Sequence, residues 1–464
     1  MMRDVRACLR PATERVAKHG SIGSGMDISY QRPLRIAIVI TRNLSEHNGR
    51  TPILSQIVRT LEARHEVELL HLPALVENRG IRDIAGALLV WVASILRARP
   101  LPLQCVLYGS PHQCRAIIAR IAEMQCDVVY LDTVRCQLLL RMLRRVMPDL
   151  RVVTDFDDLM SRRASYLFQH RLPFPTGHVS RHVPRWLRVL SEKLLARPIA
   201  GYESLTLPAA ENEVIAASDA TILLSFADRD MLSLRRPVES VHAIPPAVTV
   251  MHPPMKDIPP SRFIFIGSDN FVHNRAAIDF LLESWRSVRP AFDLHIYGRQ
   301  SRTKAAVEGV HWHGFVEDLA EVYQPGSVAL VPAMDRGGIK TKVLEAWAWG
   351  CPALCNKAAM EGLTIENYPL VLPEAEWPAI LAAPHGHDWA SAARIGHAFV
   401  GDHCSAEEFE RAWREIIRPG MRNTVEDEAE LAQTDLHISG RANAAPATLT
   451  SRFANARAEG RRAS

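Results

Sequence analysis

The chain has 464 residues, 47% of them apolar and 23% charged, ordinary values for a globular protein with enough apolar surface to build its cores. That length leaves room for about two to three domains. A net charge of +4 is small for the size, and no basic cluster interleaved with aromatics occurs, so nucleic acid is not an expected partner.

The eight cysteines are scattered, none in a Cys-x-x-Cys pair, and Cys351 and Cys355 have no neighbouring His or Cys pair. No metal site is expected, and the thiols read as reduced and mostly buried in a cytoplasmic protein. Residues 1–32 contain Arg and Lys but no apolar signal core, so they read as a disordered extension, with Met26 as an alternative start.

The first strand is Leu34–Ile40, followed by a polar turn over 43–50 and a helix pattern from Pro52 in which Ile53, Ile57 and Leu61 recur every four residues. Strand patterns at 67–70, 127–131, 151–154 and 220–224 alternate with helix patterns, which predicts a parallel, doubly wound sheet. The apolar run Ile84–Leu96 is too short to span a bilayer, which needs about 20 residues. The simpler reading is a buried or half-buried helix; the other, given Arg82, Arg97 and Arg99, is a helix lying on a membrane surface. Residues 161–208 read as irregular, with a helix only from Ala209. Prolines at 245–246, 253–254 and 259–260 mark a boundary, giving domains at 33–250 and 251–419. After it the alternation restarts at Phe263–Ile266 and runs to a last amphipathic helix, 406–417; residues 420–464 read as a disordered tail.

The most informative stretch is Asp335 to Pro352. A strand, Val328–Val331, leads to the paired glycines Gly337 and Gly338, then to a helix containing Lys342, Leu344, Glu345 and Ala346, closed by Gly350 and Pro352. A strand, a glycine turn and a helix start can hold an anion through free N–H groups. Lys340 and Lys342 add positive charge, and Glu345 lies about one turn inside the helix. By spacing alone, a plain turn with solvated lysines fits as well as a phosphate site.

Further matching phrases occur in order: Phe265-Ile266-Gly267-Ser268, Leu294–Arg299, His313–Leu319, Val331-Pro332, Gly337–Ala346, Gly350-Cys351-Pro352 and Glu361-Gly362-Leu363. With these, residues 260–415 resemble the C-terminal domain of family-4-type (group 1) glycosyltransferases of the GT-B fold, in which two Rossmann-like domains face each other across a cleft. The resemblance implies a nucleotide-sugar donor and no metal or other cofactor. It implies that Glu345 holds ribose hydroxyls and that Gly338, Ile339, Lys340 and Thr341 contact the donor's phosphates and sugar. Gly337 stands where many relatives have the first glutamate of an E-x7-E pair. The family's Arg-x4-Lys is absent, with Gly267 to Asn274 in its place. Lys340, with Arg299 or Arg275, is then the expected cation for the leaving group, and Gly267 and Ser268 line the donor. The turn carrying Phe315 and Val316 would lie by the base.

In the first half, Asp157 and Asp158 take the strand-end positions that are His-Asp in many relatives. They would position the acceptor hydroxyl or the transferred sugar; capping of the following helix is the other reading. His47 and Gly49 fall in the loop expected on the acceptor side. The resemblance implies glycosyl transfer, with retention, to a saccharide or lipid-linked acceptor in polysaccharide biosynthesis, in the cytoplasm or peripherally at the inner membrane face. A nucleotide-sugar epimerase and a non-catalytic GT-B scaffold in a polysaccharide-synthesis complex remain the alternatives.

Overall fold

Strands of three to six residues, most of them followed by a helix, build two parallel sheets. A computed structural model of the protein describes residues 32–42, 44, 50–77, 80–170, 195–235, 239–254, 259–301, 306–334, 337–365 and 367–418. The expected disordered ends, 1–32 and 420–464, lie outside these residues except for Arg32.

The first sheet contains β1 (Arg35–Ile40), β2 (Glu66–His71), β3 (Val128–Asp132), β4 (Arg151–Asp155), β5 (Ala220–Leu223) and β6 (Val241–Ala243), in the order β2-β1-β3-β4-β5-β6. The second contains β7 (Arg262–Ile266), β8 (Leu294–Tyr297), β9 (Val310–Gly314), β10 (Ser327–Val331) and β11 (Ala353–Cys355), in the order β11-β10-β7-β8-β9. Neighbouring strands in both are parallel. Central strands such as β3 and β10 are buried at every position, as a sheet covered on both faces requires. Strand order reverses direction between β1 and β3 and between β7 and β10. In open α/β sheets, ligands bind at such switch points, outside the carboxyl ends of the strands.

Eight helices matter for the site and its surroundings: α1 (Arg50–Glu62), α2 (Ile81–Leu96), α3 (Met160–Gln169), α4 (Ala196–Ala217), α5 (Phe226–Arg235), α6 (Val272–Ser287), α7 (Thr341–Ala348) and α8 (Ala406–Ile417). Alternate residues of β1 serve opposite faces: Ala37 and Val39 join one core, Ile36 and Ile38 the other. The second of these cores also takes in Phe409, Trp413, Ile416 and Ile417 of α8. Trp413 packs 5.8 Å from Tyr130, and Arg151 Nη2 donates to the Ile416 carbonyl at 2.6 Å. The last helix of the stretch expected as the second domain, 251–419, therefore crosses back onto the first sheet.

One expectation is corrected. The described parts of 161–208 are helical, in α3 and α4, and α4 starts at Ala196 and runs through Pro208. Proline disfavours a helix interior, but fully buried Ala200, Glu203 and Leu207 anchor this one. Helix α2 is half-buried, one of the expected readings, but most of its large apolar side chains lie on the exposed face. Its inward residues are Asp83, Ala87 and Ser94, with Val90 and Trp91 packed beside them. Asp83 accepts from the Ser110 hydroxyl, and Ser94 Oγ accepts from the Leu101 amide at 3.1 Å. With this face turned in, Ile81, Leu89 and Leu96 are left 84%, 72% and 81% exposed.

Candidate active site

Strand β10 delivers the chain to the switch point of the second sheet. Gly337 and Gly338 follow with φ of +89° and +63°, a backbone region that residues with a Cβ rarely enter. The Gly338 amide donates to Asp228 Oδ2 at 3.1 Å, a residue of α5 in the first half. Lys340 precedes α7 with an extended backbone, and its Nζ turns back to donate to the Gly337 carbonyl at 2.9 Å. Ile339 packs against the cores of both halves, so the turn is seated where they meet. From the far side, Gly362 presses on the turn, since any Cβ there would strike the Gly338 carbonyl.

The sheet order sets the rest of this edge. Along β10-β7-β8-β9, the chain after each strand carries in turn Gly337–Gly338, Gly267–Ser268, Arg299 and Phe315. With strands about 4.8 Å apart, that row spans roughly 14 Å. Ser268 Oγ donates to the Arg299 carbonyl at 3.0 Å, and Gln300 Nε2 ties the Gly267 and Gly298 carbonyls together at 3.1 Å each. At the far end, the Arg299 guanidinium lies 5.0 Å above the Phe315 ring, which is 60% exposed, while Val316 packs inward on the core. The row thus runs from an N–H-bearing turn to a flat aromatic surface. Lys342 Nζ donates to Asn274 Oδ1 at 3.0 Å, and Asn274 Nδ2 donates to the Ser268 carbonyl at 2.9 Å, which bridges the crevice between β7 and β10.

The first sheet presents carboxylates at its own strand ends. Asp157, with φ +66°, follows β4; its amide donates to Asp155 Oδ1 at 2.8 Å, and its carboxylate lies 3.5 Å from Arg50 Nη1. Asp158 is 5% exposed, pairs with Arg163, and lies with its Cβ 3.5 Å from where a Cβ on Gly338 would stand. Burial, opposed by Arg163, raises its carboxyl above the ordinary aspartate value. Neither aspartate caps α3: its N-cap residue is Leu159, with no side-chain cap, and the Ser161 amide is taken by Glu211 Oε1 at 2.8 Å.

Residues 260–383 match the family model described as glycosyl transferases group 1. The chain carries a group 1 glycosyltransferase domain. Its fold is GT-B. Sucrose-phosphate synthase from Thermosynechococcus elongatus superposes with a TM-score of 0.52 at 14% identity, covering 88% of this chain and 99% of that one. Anabaena HepE, in complex with UDP and glucose, superposes at 0.51 and 12% identity, covering 82% and 98%. Trehalose-6-phosphate synthase, studied for glycosyl transfer with retention, gives the same score, identity and coverage, 0.51, 12%, 82% and 98%. No curated protein sequence matches the chain.

Within the glycosyltransferase domain, Thr341 opens α7 and Glu345 sits one turn further in, half-buried. Burial pushes the Glu345 carboxyl up to about 7, with Lys342 and the facing phenol of Tyr323 pulling the other way. The structure thus brings Gly337, Gly338, Ile339, Lys340 and Asp158 together, strings Gly267, Ser268, Arg299, Phe315 and Val316 along the same edge, and places Asp157 with Arg50. His47 and Gly49 lie outside the described residues. Among those residues, no group of three or more His, Cys, Asp or Glu is arranged to hold a metal ion.

Two clusters escaped the sequence reading. Arg50 is surrounded by Asp132, Asp155 and Asp157 at 3.3, 2.7 and 3.5 Å, all at strand ends of the first sheet. At the Gly337–Gly338 turn, Arg162 joins Asp228 at 2.8 Å and also pairs with Glu361. Only Glu361 lay in a recognised motif; Arg162 and Arg163 lie four and five residues after Asp158 in the chain, the one signal available. Beside the turn, a cavity of about 690 Å³ is lined by Tyr166 of α3, by His170 just after that helix and by Met334, Lys357 and Glu374. The Tyr166 hydroxyl donates to the Met334 carbonyl at 3.3 Å across its mouth.

Proposed function

We propose that the protein transfers a sugar, with retention, from a nucleotide-sugar donor to a saccharide or lipid-linked saccharide acceptor in polysaccharide biosynthesis. The carrying observation is the 14 Å row at the second sheet's strand ends: N–H groups and a lysine at one end, an exposed ring under a guanidinium at the other (roughly, from strand spacing). A nucleoside diphosphate lies along such a row, its base on Phe315 and its diphosphate reaching the Gly337–Gly338 turn and Lys340, with the sugar beyond. HepE holds UDP and glucose on this fold, which makes UDP-sugars the first donors to try.

In the reaction, the donor's C1–O bond breaks and its electron pair goes to the nucleoside diphosphate. The acceptor oxygen bonds to C1, and its proton passes to the leaving diphosphate. Preorganised N–H groups and Lys340 stabilise that growing charge. Closure of the two halves around the turn excludes water from the donor. The cavity beside Met334 is the acceptor's place: its volume suits a small saccharide, and Tyr166 supplies a ring for a sugar face. No cofactor takes part.

The exposed face of α2 supports peripheral attachment to an anionic bilayer on the cytoplasmic side, which would bring a lipid-linked acceptor to the cleft. Apolar side chains line it, and exposed Arg82, Arg97 and Arg99 stand at its ends, complementary to anionic headgroups. No helix among the described residues is long and apolar enough to cross a membrane.

A thermal-shift screen of UDP-, GDP- and dTDP-sugars, followed by a donor-hydrolysis assay, tests the reading. A rise in melting temperature with one nucleotide class is expected. No shift and no hydrolysis with any of them would remove the transferase reading and leave the scaffold alternative.

A further inference from the structure

The Gly337–Gly338 turn is surrounded by charges that its own half of the fold does not supply. Asp228 is fully buried, and its two carboxylate oxygens are divided between the halves: Oδ2 accepts the Gly338 amide at 3.1 Å and Oδ1 accepts Arg162 Nη1 at 2.8 Å. Arg162 reaches on to Glu361, the residue before the glycine that presses on Gly338. Its Cδ would stand 3.9 Å from a Cβ placed on Gly337. Arg163 pairs with Asp158, which faces Gly338. Both arginines come from α3, in the first half. In the second half, the loop after β7 offers Ser268 to Asn274, with no arginine or lysine among them.

A backbone amide at such a turn needs an acceptor. A carboxylate oxygen and a phosphate oxygen are interchangeable acceptors for it, and a guanidinium binds either with a two-pronged fit. The Asp228 carboxylate occupies the place a donor phosphate oxygen would take, on the same amide and beside the same guanidinium.

We infer that Arg162 and Arg163 are counter-ions of the donor's diphosphate, and that Asp228 holds the phosphate's place on the Gly338 amide until the donor displaces it. This rests on the nucleotide-sugar reading above. The missing cations of the β7 loop are thereby replaced from the opposite wall of the cleft. Because Asp228 and Glu361 lie on different halves, opening the cleft separates Arg162 from one of them. The guanidinium then becomes available as the diphosphate enters, and closure carries it onto the leaving group.

The test is calorimetric titration of the full chain with UDP and, separately, GDP, each variant being checked for an unchanged melting transition. Removing the placeholder's charge in D228N is expected to tighten binding of the nucleoside diphosphate about tenfold, whereas R162Q weakens it by tenfold or more and R162K restores part of the loss. A strut or a direct sugar ligand at position 228 gives the opposite sign: D228N then weakens binding, and the inference is overturned. Unchanged binding in R162Q also overturns it. Should D228N fail to fold, E361Q releases Arg162 from its other partner, and the same tightening is expected; no change or a weakening there counts against the proposal. If wild type and D228N both fail to bind any nucleoside diphosphate, the donor reading itself is lost, an outcome distinct from a wild-type protein that binds while its variants move the wrong way.

Discussion

Arg50 and Asp155 form an ion pair at 2.7 Å with side-chain exposures of 1% and 0%. Burial works against charge on both. It lifts the Asp155 carboxyl above its ordinary value despite Arg50, while Asp155, Tyr130, Asp157 and Asp132 together outweigh it for Arg50 and hold the guanidinium ionised. The pair joins the start of α1 to the end of β4, Asp132 adds the end of β3, and Asp157 completes the cluster at 3.5 Å. Replacing Arg50 by Met leaves carboxylates buried without their counter-ion, which costs about 3–5 kcal/mol. Urea unfolding should show that loss; a change under about 1 kcal/mol would mean that the cluster is not held by charge.

Lys340 is the cation most directly over the turn. Replacing it by Ala should weaken binding of a nucleoside diphosphate by about 1.5–3 kcal/mol, the scale of a charged hydrogen bond. That is roughly a tenfold to hundredfold rise in Kd. The melting temperature without ligand should stay close to wild type, and equal affinity in the variant would take Lys340 out of the site.

Glu345 carries a pH signature. Its carboxyl is raised to about 7 from an ordinary value of 4.5. The folded protein therefore holds a proton that the unfolded chain has released, and stability from this group is complete below about 4.5 and lost as pH rises through about 7. Glu345→Gln cannot ionise. The melting temperature of the variant relative to wild type should climb between pH 5 and pH 8, and a difference independent of pH would place the carboxyl in an ordinary environment. If Glu345 holds ribose hydroxyls, the same variant also binds donor more weakly.

Gly362 is the position where one methyl group should disturb the turn. Any Cβ there meets the Gly338 carbonyl, and backbone cannot swing aside as a side-chain end can. Gly362→Ala should cost about 1–3 kcal/mol of stability, the usual range for overpacking. It should also displace the Gly338 amide and so reduce nucleotide affinity beyond what the stability loss explains. Wild-type binding in a folded variant would show that the turn tolerates the shift.

The outward face of α2 makes a separate claim. Leu89→Glu with Leu96→Glu changes two side chains that are 72% and 81% exposed, so folding should be nearly unaffected. Co-sedimentation with vesicles containing phosphatidylglycerol should fall sharply for the double variant and should persist, weaker, for wild type in high salt. Equal sedimentation of both proteins would remove α2 as the contact.

Some of this was legible locally. The strands of both sheets show as short apolar runs because strands covered on both faces demand it. The Gly337–Gly338 turn shows because its backbone angles exclude most other residues. The helix at 196–217 was hidden by Pro208, whose local penalty is overridden by buried neighbours. The exposure of α2 was hidden for a related reason: hydropathy counts apolar residues, whereas the choice of face was made by Asp83, Ala87 and Ser94 meeting Ser110 and Leu101.

By itself, then, the sequence determined the alternation of strands and helices, the restart after the proline-rich boundary, and the glycine turn ahead of α7. Each depends on residues a few positions apart. The tertiary structure alone decided what faces that turn. Asp228 reaches Gly338 from 110 residues away, and Arg162 reaches Glu361 from 199. Charge pairs at such separations leave no period in a sequence. They exist only because the chain after β4 and β5 of the first sheet meets the chain after β10 and β11 of the second.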